Sequence, residues 1–134
     1  MKNITIFWTP DLEVGIEEID NQHKQLFSLL ADFYTSLQKG AGREVLAKML
    51  EDLMTYAGAH FSMEEAHLKG HPDLMRHHQL HYSFIKQMNQ FEQDYLHGSI
   101  SLGVDMISFF TDWLREHIAE TDKQHFSSLP QKTE

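Results

Sequence analysis

The sequence predicts an all-α protein, an up-down-up-down antiparallel four-helix bundle preceded by an extended N-terminal arm. Four segments repeat apolar residues at the 3/4 spacing of an amphipathic helix, and Gly- or Pro-containing breaks separate them. No stretch alternates like a strand, and there is no internal repeat or low-complexity segment. Helices of about 20–25 residues joined by short loops pack as antiparallel neighbours.

In residues 19–37 the apolar positions are Ile19, Leu26, Leu30, Phe33 and Leu37, with His23 completing the stripe. After the QKGAG break at 38–42, a second helix carries Leu46, Met49, Leu53 and Tyr56 and reaches His60 on the same face. Gly70-His71-Pro72 ends it, and Pro72 suits the first turn of a third helix. That helix has the stripe Leu74, His77, His81, Phe84, Met88, Phe91 and Tyr95. HGSIS at 97–101 breaks the chain again, and a fourth helix presents Met106, Phe110, Trp113 and His117. The 134 residues form one domain, with an arm at 1–18, the bundle at 19–125 and a polar tail at 126–134.

One domain of this length buries a sufficient core without disulfides. The net charge of −9 argues against nucleic acid or an anionic membrane surface as partner, since either needs a cationic patch. There is no Cys, so thiolate sites are excluded and a metal would need N and O ligands. The apolar run in MKNITIFWTP, only about five residues, is too short for a secretory leader, and no longer run suggests membrane insertion. A cytoplasmic monomer is expected.

Histidine is the unusual feature, with ten in all and six of them within residues 60–81. In the up-down-up-down topology, His23 lies near the start of helix 1 and His60 and Glu64 near the end of helix 2. His77 and His81 begin helix 3, and His117 and Asp122 finish helix 4, so all seven fall at one depth of the bundle. A lone histidine on an apolar stripe is usually a satisfied core residue. Seven buried polar groups without partners would each cost roughly 1–3 kcal/mol, a penalty that a metal removes.

The pairs His60/Glu64 and His77/His81 have ligating i,i+4 spacing, whereas His117 and Asp122 are five apart and need the helix end to let the carboxylate turn inward. His78 should point away from this face, and His67, His71, His97 and His125 sit near helix ends in solvated or capping positions. His67, one turn beyond Glu64, is also placed to steady a ligand from behind. Met63, Met88 and Met106 read as core, and Glu65 as a solvated face.

Imidazole with carboxylate suits Zn, Fe, Mn, Cu or Ni, and seven ligands exceed one ion, so two are implied. Two octahedral ions offer about twelve positions. Five histidines, two bridging carboxylates and one shared oxygen leave one vacancy. Around it cluster Phe61, Trp113, Leu114 and Ile118, a mostly apolar wall without an evident nucleophile or charged clamp. A small uncharged ligand is expected, O2 if the metal is iron.

The segments WTPDLEVGIEEIDNQHKQL, HFSMEE, HHQLH and DWLREHIAETDK, in this order and over almost the whole chain, resemble the hemerythrin family, in particular its single-domain bacterial members. The resemblance implies a non-haem, oxo- or hydroxo-bridged di-iron centre. His77, His81 and His117 would serve one iron, His23 and His60 the other, with Glu64 and Asp122 bridging. It also implies reversible O2 binding at the iron with two histidines, for transport, storage or delivery to an O2-consuming partner protein, with no catalytic residues. An O2 or redox sensor, or a di-iron peroxidase or oxidase, is the alternative, and a polar pocket residue such as His67 or Glu65 would favour the enzyme. Relative to the family pattern the segment before HHQLH is a couple of residues short, with His71-Pro72 in place of Tyr-Pro. A shortened loop and an ordinary site are expected.

Overall fold

The computed structural model describes residues 6–96 and 100–127; His97, the Tyr95 side chain and the chain from 128 lie outside the described part. The helices are α1 (Glu17–Gln38), α2 (Arg43–His67), α3 (Leu74–Leu96) and α4 (Ile100–Glu116), and α4 runs on through a π-helical turn (His117–Asp122) into α5 (Lys123–Ser127). Helix α1 packs against α2 and α4, and α3 against α4 and α2, closing a four-helix bundle. Among the described residues no helix is long and apolar enough to cross a membrane.

The expected stripe of α1 is buried throughout, from Ile19 through Leu26, Leu30 and Phe33 to Leu37. Helix α1 ends in a Schellman turn. Gly40 at φ +77° allows Ala41 N–H to reach the Ser36 carbonyl (3.0 Å) and Gly40 N–H the Leu37 carbonyl (3.2 Å). On α2 the buried line is Leu46, Leu50, Leu53 and Ala57, so the expected Met49 and Tyr56 flank it half-buried. Two neighbouring helices wrap this face, and the apolar stripe is wider than a single 3/4 line.

The α2–α3 connection is short and well tied. Leu68 is fully buried beneath it, and Gly70 at φ +84° turns the chain so that His71 N–H reaches the Leu68 carbonyl (2.8 Å). Pro72 stands two residues ahead of α3, not in its first turn. The Asp73 N–H donates to His71 Nδ1 (3.0 Å) and the Leu74 N–H to the His71 carbonyl (3.1 Å), so His71 closes the turn around Pro72 from which α3 starts.

The arm is held as a strap. Ile6 and Leu12 are buried, with a 3₁₀ turn at Pro10–Leu12. Arg115 donates to the Phe7 carbonyl (2.6 Å), the Lys123 ammonium donates to the Asp11 carbonyl, and Lys24 lies 4.5 Å over the Trp8 ring.

The core falls into two parts. The larger runs from Leu37 and Leu46 through Phe84, Met88, Met106 and Phe110 to Phe61, Leu114 and Ile118. The smaller, at the other end, is Ile19, Leu68 and Phe126, with Val14, Ile16, Met63 and Leu74 against it. Residue 126 was expected to open a polar tail, but Phe126 is 5% exposed and plugs the bundle end, one turn past Asp122. An isolated aromatic after a polar stretch has no periodic neighbours to mark it as core. Phe126→Ala should lower the stability of the metal-free protein by about 3 kcal/mol in urea denaturation. A loss below about 1 kcal/mol would mean the plug carries little of the fold.

Candidate metal centre

Between the two apolar clusters lies a polar layer one or two turns thick. Each helix changes there from apolar to ligand-type side chains and back: Ile19, His23, Leu26 on α1; Phe61 and Glu64 on α2, with Leu68 just past its end; Leu74, His77, His81, Phe84 on α3; Leu114, His117, Asp122, Phe126 at the C-terminal end. His23, Glu64, His77 and Asp122 have no exposed surface, and His60, His81 and His117 retain 5% or less.

The π-helical turn answers the five-residue spacing of His117 and Asp122. Lys123 N–H bonds to the Ile118 carbonyl five residues back, and the wide turn puts residues i and i+5 on one face. The helix therefore continues through the site, where the sequence suggested a helix end turning its carboxylate inward. His117 Nε2 and Asp122 Oδ1 stand 3.0 Å apart.

The two carboxylates divide their oxygens between two groups of imidazoles. Glu64 Oε2 faces His23 Nε2 (2.8 Å) and His60 Nε2 (2.9 Å), and Asp122 Oδ2 faces His23 Nε2 (3.2 Å). On the other side, Glu64 Oε1 faces His81 Nε2 (2.9 Å) and His77 Nε2 (3.2 Å). Asp122 Oδ1 lies 3.0 Å from the Nε2 atoms of both His77 and His117. Two sets of donor atoms result, Glu64, His77, His81, His117 and Asp122 in one and His23, His60 and Glu64 in the other, each compact enough to hold an ion.

The donor set fits a pair of cations. Both Asp122 oxygens and His60 Nε2 are buried without a hydrogen bond, although nitrogen or oxygen atoms lie about them at close range. Lone pairs that converge without hydrogen-bond angles are satisfied by a shared positive charge.

In the metal-free protein, protons take that part. Burial opposes charge on His23, but the Asp122 and Glu64 carboxylates outweigh it and raise its pKa to about 9. Burial likewise opposes His117, and Asp122, then Glu64, raise it to about 9. Burial would lift Glu64, yet the imidazoles around it, His60 foremost, hold it well below the carboxylate range. Asp122 is also lowered: burial and Glu64 push it up, and His117 and His23 prevail.

Several histidines are held through the ring nitrogen facing away from the centre. His81 Nδ1 donates to Glu65 Oε2 (2.9 Å), His60 Nδ1 to Gln22 Oε1 (2.7 Å), and His77 Nδ1 pairs with His125 Nδ1 (2.8 Å). Glu65 is therefore no solvated bystander; its other oxygen takes exposed His78 (2.6 Å). Nor is His125 a solvated end residue, being 5% exposed. Burial, with the His77 charge adding, pushes the His125 pKa below its ordinary value. His67, a helix-end residue as expected, faces Glu18 (3.5 Å) and Phe126, and the role behind a ligand that its spacing left open is not taken up. His71 accepts from the Asp73 N–H in the turn ahead of α3, and His78 points outward as expected. The signals for the missed groups were local: His125 follows Asp122 by one helical turn, and Gln22 adjoins His23.

The apolar wall touches both imidazole groups. Phe61 stacks on His81 (4.0 Å, 11°) and tilts against His60 (5.9 Å), while Trp113 stacks on His117 (4.4 Å, 11°). Leu114 and Ile118, which flank His117 in the chain, are buried in the large core cluster with Phe61.

A family model described as the hemerythrin HHE cation binding domain matches residues 14–129. The chain belongs to the hemerythrin family. A bacteriohemerythrin of Clostridium acetobutylicum is 33% identical over 126 residues, covering 88% of this chain and 96% of that protein. One from Pseudomonas aeruginosa is 28% identical, covering 92% and 81%, and a myohemerythrin of Theromyzon tessulatum is 27% identical, covering 91% and 92%. The hemerythrin match begins just before α1 and ends just past α5, so it contains all seven converging residues.

A raised pKa means a proton held until pH rises through that value, and ligation requires neutral imidazole. His23 and His117, each near 9, with His77 also raised, should therefore release at least two protons per chain when the metal-free protein is loaded at pH 7. Calorimetric titration in buffers of different ionisation enthalpy measures the release, which should shrink as pH passes 9. No release at pH 7 would contradict the charge assignment.

Proposed function

We propose that this protein binds O2 reversibly at a non-haem di-iron centre held by His23, His60, Glu64, His77, His81, His117 and Asp122. The observation that carries the reading is the division of the Glu64 and Asp122 oxygens between a two-histidine and a three-histidine group. Such a layout leaves the two-histidine position short of ligands, which is where a small molecule has room to bind. The irons, when bound, supply the two electrons that O2 takes up and returns.

The chain's own residues hold and enclose that chemistry. Phe61, Trp113, Leu114 and Ile118 line the O2 pocket and keep water and proton donors from the bound ligand. Wall side chains that stack on His81 and His117 also fix those rings in place. The finer role we assign is storage or delivery of O2 to an O2-consuming partner protein. Turnover as a peroxidase or oxidase would need proton delivery, and Glu65, the polar residue nearest such a role, lies behind His81, not in the wall.

The test is the visible spectrum of iron-loaded protein, reduced without air, exposed to O2 and then swept with argon. A charge-transfer band that appears with O2 and fades under argon is expected. Rapid irreversible conversion to a spectrum unaffected by argon would overturn the carrier reading. Leu114→Tyr, which adds a hydroxyl to the wall, should speed autoxidation, by roughly 100-fold if the hydroxyl acts as a well-placed proton donor. An unchanged rate would place the pocket elsewhere.

A further inference from the structure

The two metal positions differ in what stands behind their histidines. On the three-histidine side, His81 Nδ1–H points at the Glu65 carboxylate (2.9 Å), whose second oxygen is held by His78 (2.6 Å). His77 Nδ1–H donates to His125 Nδ1 (2.8 Å), which leaves His125 Nε2–H directed toward the Asp73 carboxylate at 3.7 Å. Two ligands of that position thus lead outward to an anion, one directly and one through a second imidazole.

The two-histidine side has no such backing. His60 Nδ1–H meets the neutral amide oxygen of Gln22 (2.7 Å), and His23 Nδ1 is buried without a hydrogen-bond partner among the described residues. An anionic acceptor on the far nitrogen makes an imidazole a stronger donor and fixes its tautomer and ring plane, whereas a neutral amide does less of the first and a missing partner does neither.

Resting on the di-metal reading above, we propose that Glu65 and Gln22 are positioning residues that rank the two metal positions. The three-histidine position fills first and holds its ion more tightly. The two-histidine position fills second, releases first, and owes part of its weakness to the amide at residue 22. Glu65 acts through His81 and Gln22 through His60; neither touches the ions. His78, at the surface, orients Glu65 from outside.

Co2+ alone is the probe, because its visible bands report ligation without oxidation chemistry. Titration of the metal-free protein should show two steps. In His60→Ala the weaker step should vanish and the tighter remain; loss of the tighter step would reverse the ranking and overturn the proposal. Glu65→Gln keeps a hydrogen-bond acceptor but removes the charge. It should weaken the tighter step by roughly 10-fold or more and leave the weaker step in place, while Glu65→Asp should restore most of the loss. Gln22→Glu should tighten the weaker step and narrow the gap. A Glu65→Gln chain whose two steps are unchanged, or weakened alike, refutes the assignment. Intact two-step Co2+ binding in a protein that fails to bind O2 reversibly would sink the carrier function and leave this ranking standing.

Discussion

The burial of two carboxylates among five imidazoles is the constraint on which the rest of the molecule depends. Glu64 and Asp122 have no exposed surface, and each faces His23 with one oxygen and His77 with the other. Buried anions are tolerable only when positive charge stands against them. Without metal that charge comes from protonated histidines, with His23 and His117 near 9. With metal bound, the ions would supply it to the same two carboxylates.

That constraint explains the two-part core and the irregular helix. A polar layer cannot merge with an apolar interior, so the hydrophobic cluster is interrupted and closed again by Ile19, Leu68 and Phe126. The plug keeps bulk water from one end of the layer, and Phe61 and Trp113 lie against its histidines on the other. The π-helical turn is the backbone's part in the same arrangement. A regular helix would rotate Asp122 away from His117, and the wide turn returns it to the shared face.

Much of this was legible in the sequence because period and position are simple. Apolar stripes at 3/4 spacing gave four helices, and the topology alone brought His23, His60, Glu64, His77, His81, His117 and Asp122 to one depth. The structure places all seven together. Less legible were residues whose role depends on a partner helix. Glu65 reads as surface on α2 until α3 supplies His81 and His78, and His125 reads as a terminal residue until α3 supplies His77. Phe126 had no periodic context. His67 is the helix-end residue that its position suggested; one-turn spacing from Glu64 left a role behind a ligand open because it says nothing about direction, and Glu18 of α1 takes it outward. Five-residue spacing within a helix also carried no sequence sign of the π-helical turn that makes it useful.

The most direct test of the account is anomalous scattering at the iron edge from crystals of the iron-loaded protein. Two peaks about 3.5–4 Å apart are expected, one among His77, His81 and His117, the other beside His23 and His60, with Glu64 and Asp122 between them. A single peak, or a pair outside that layer, would contradict the claim that these seven side chains form one two-metal site.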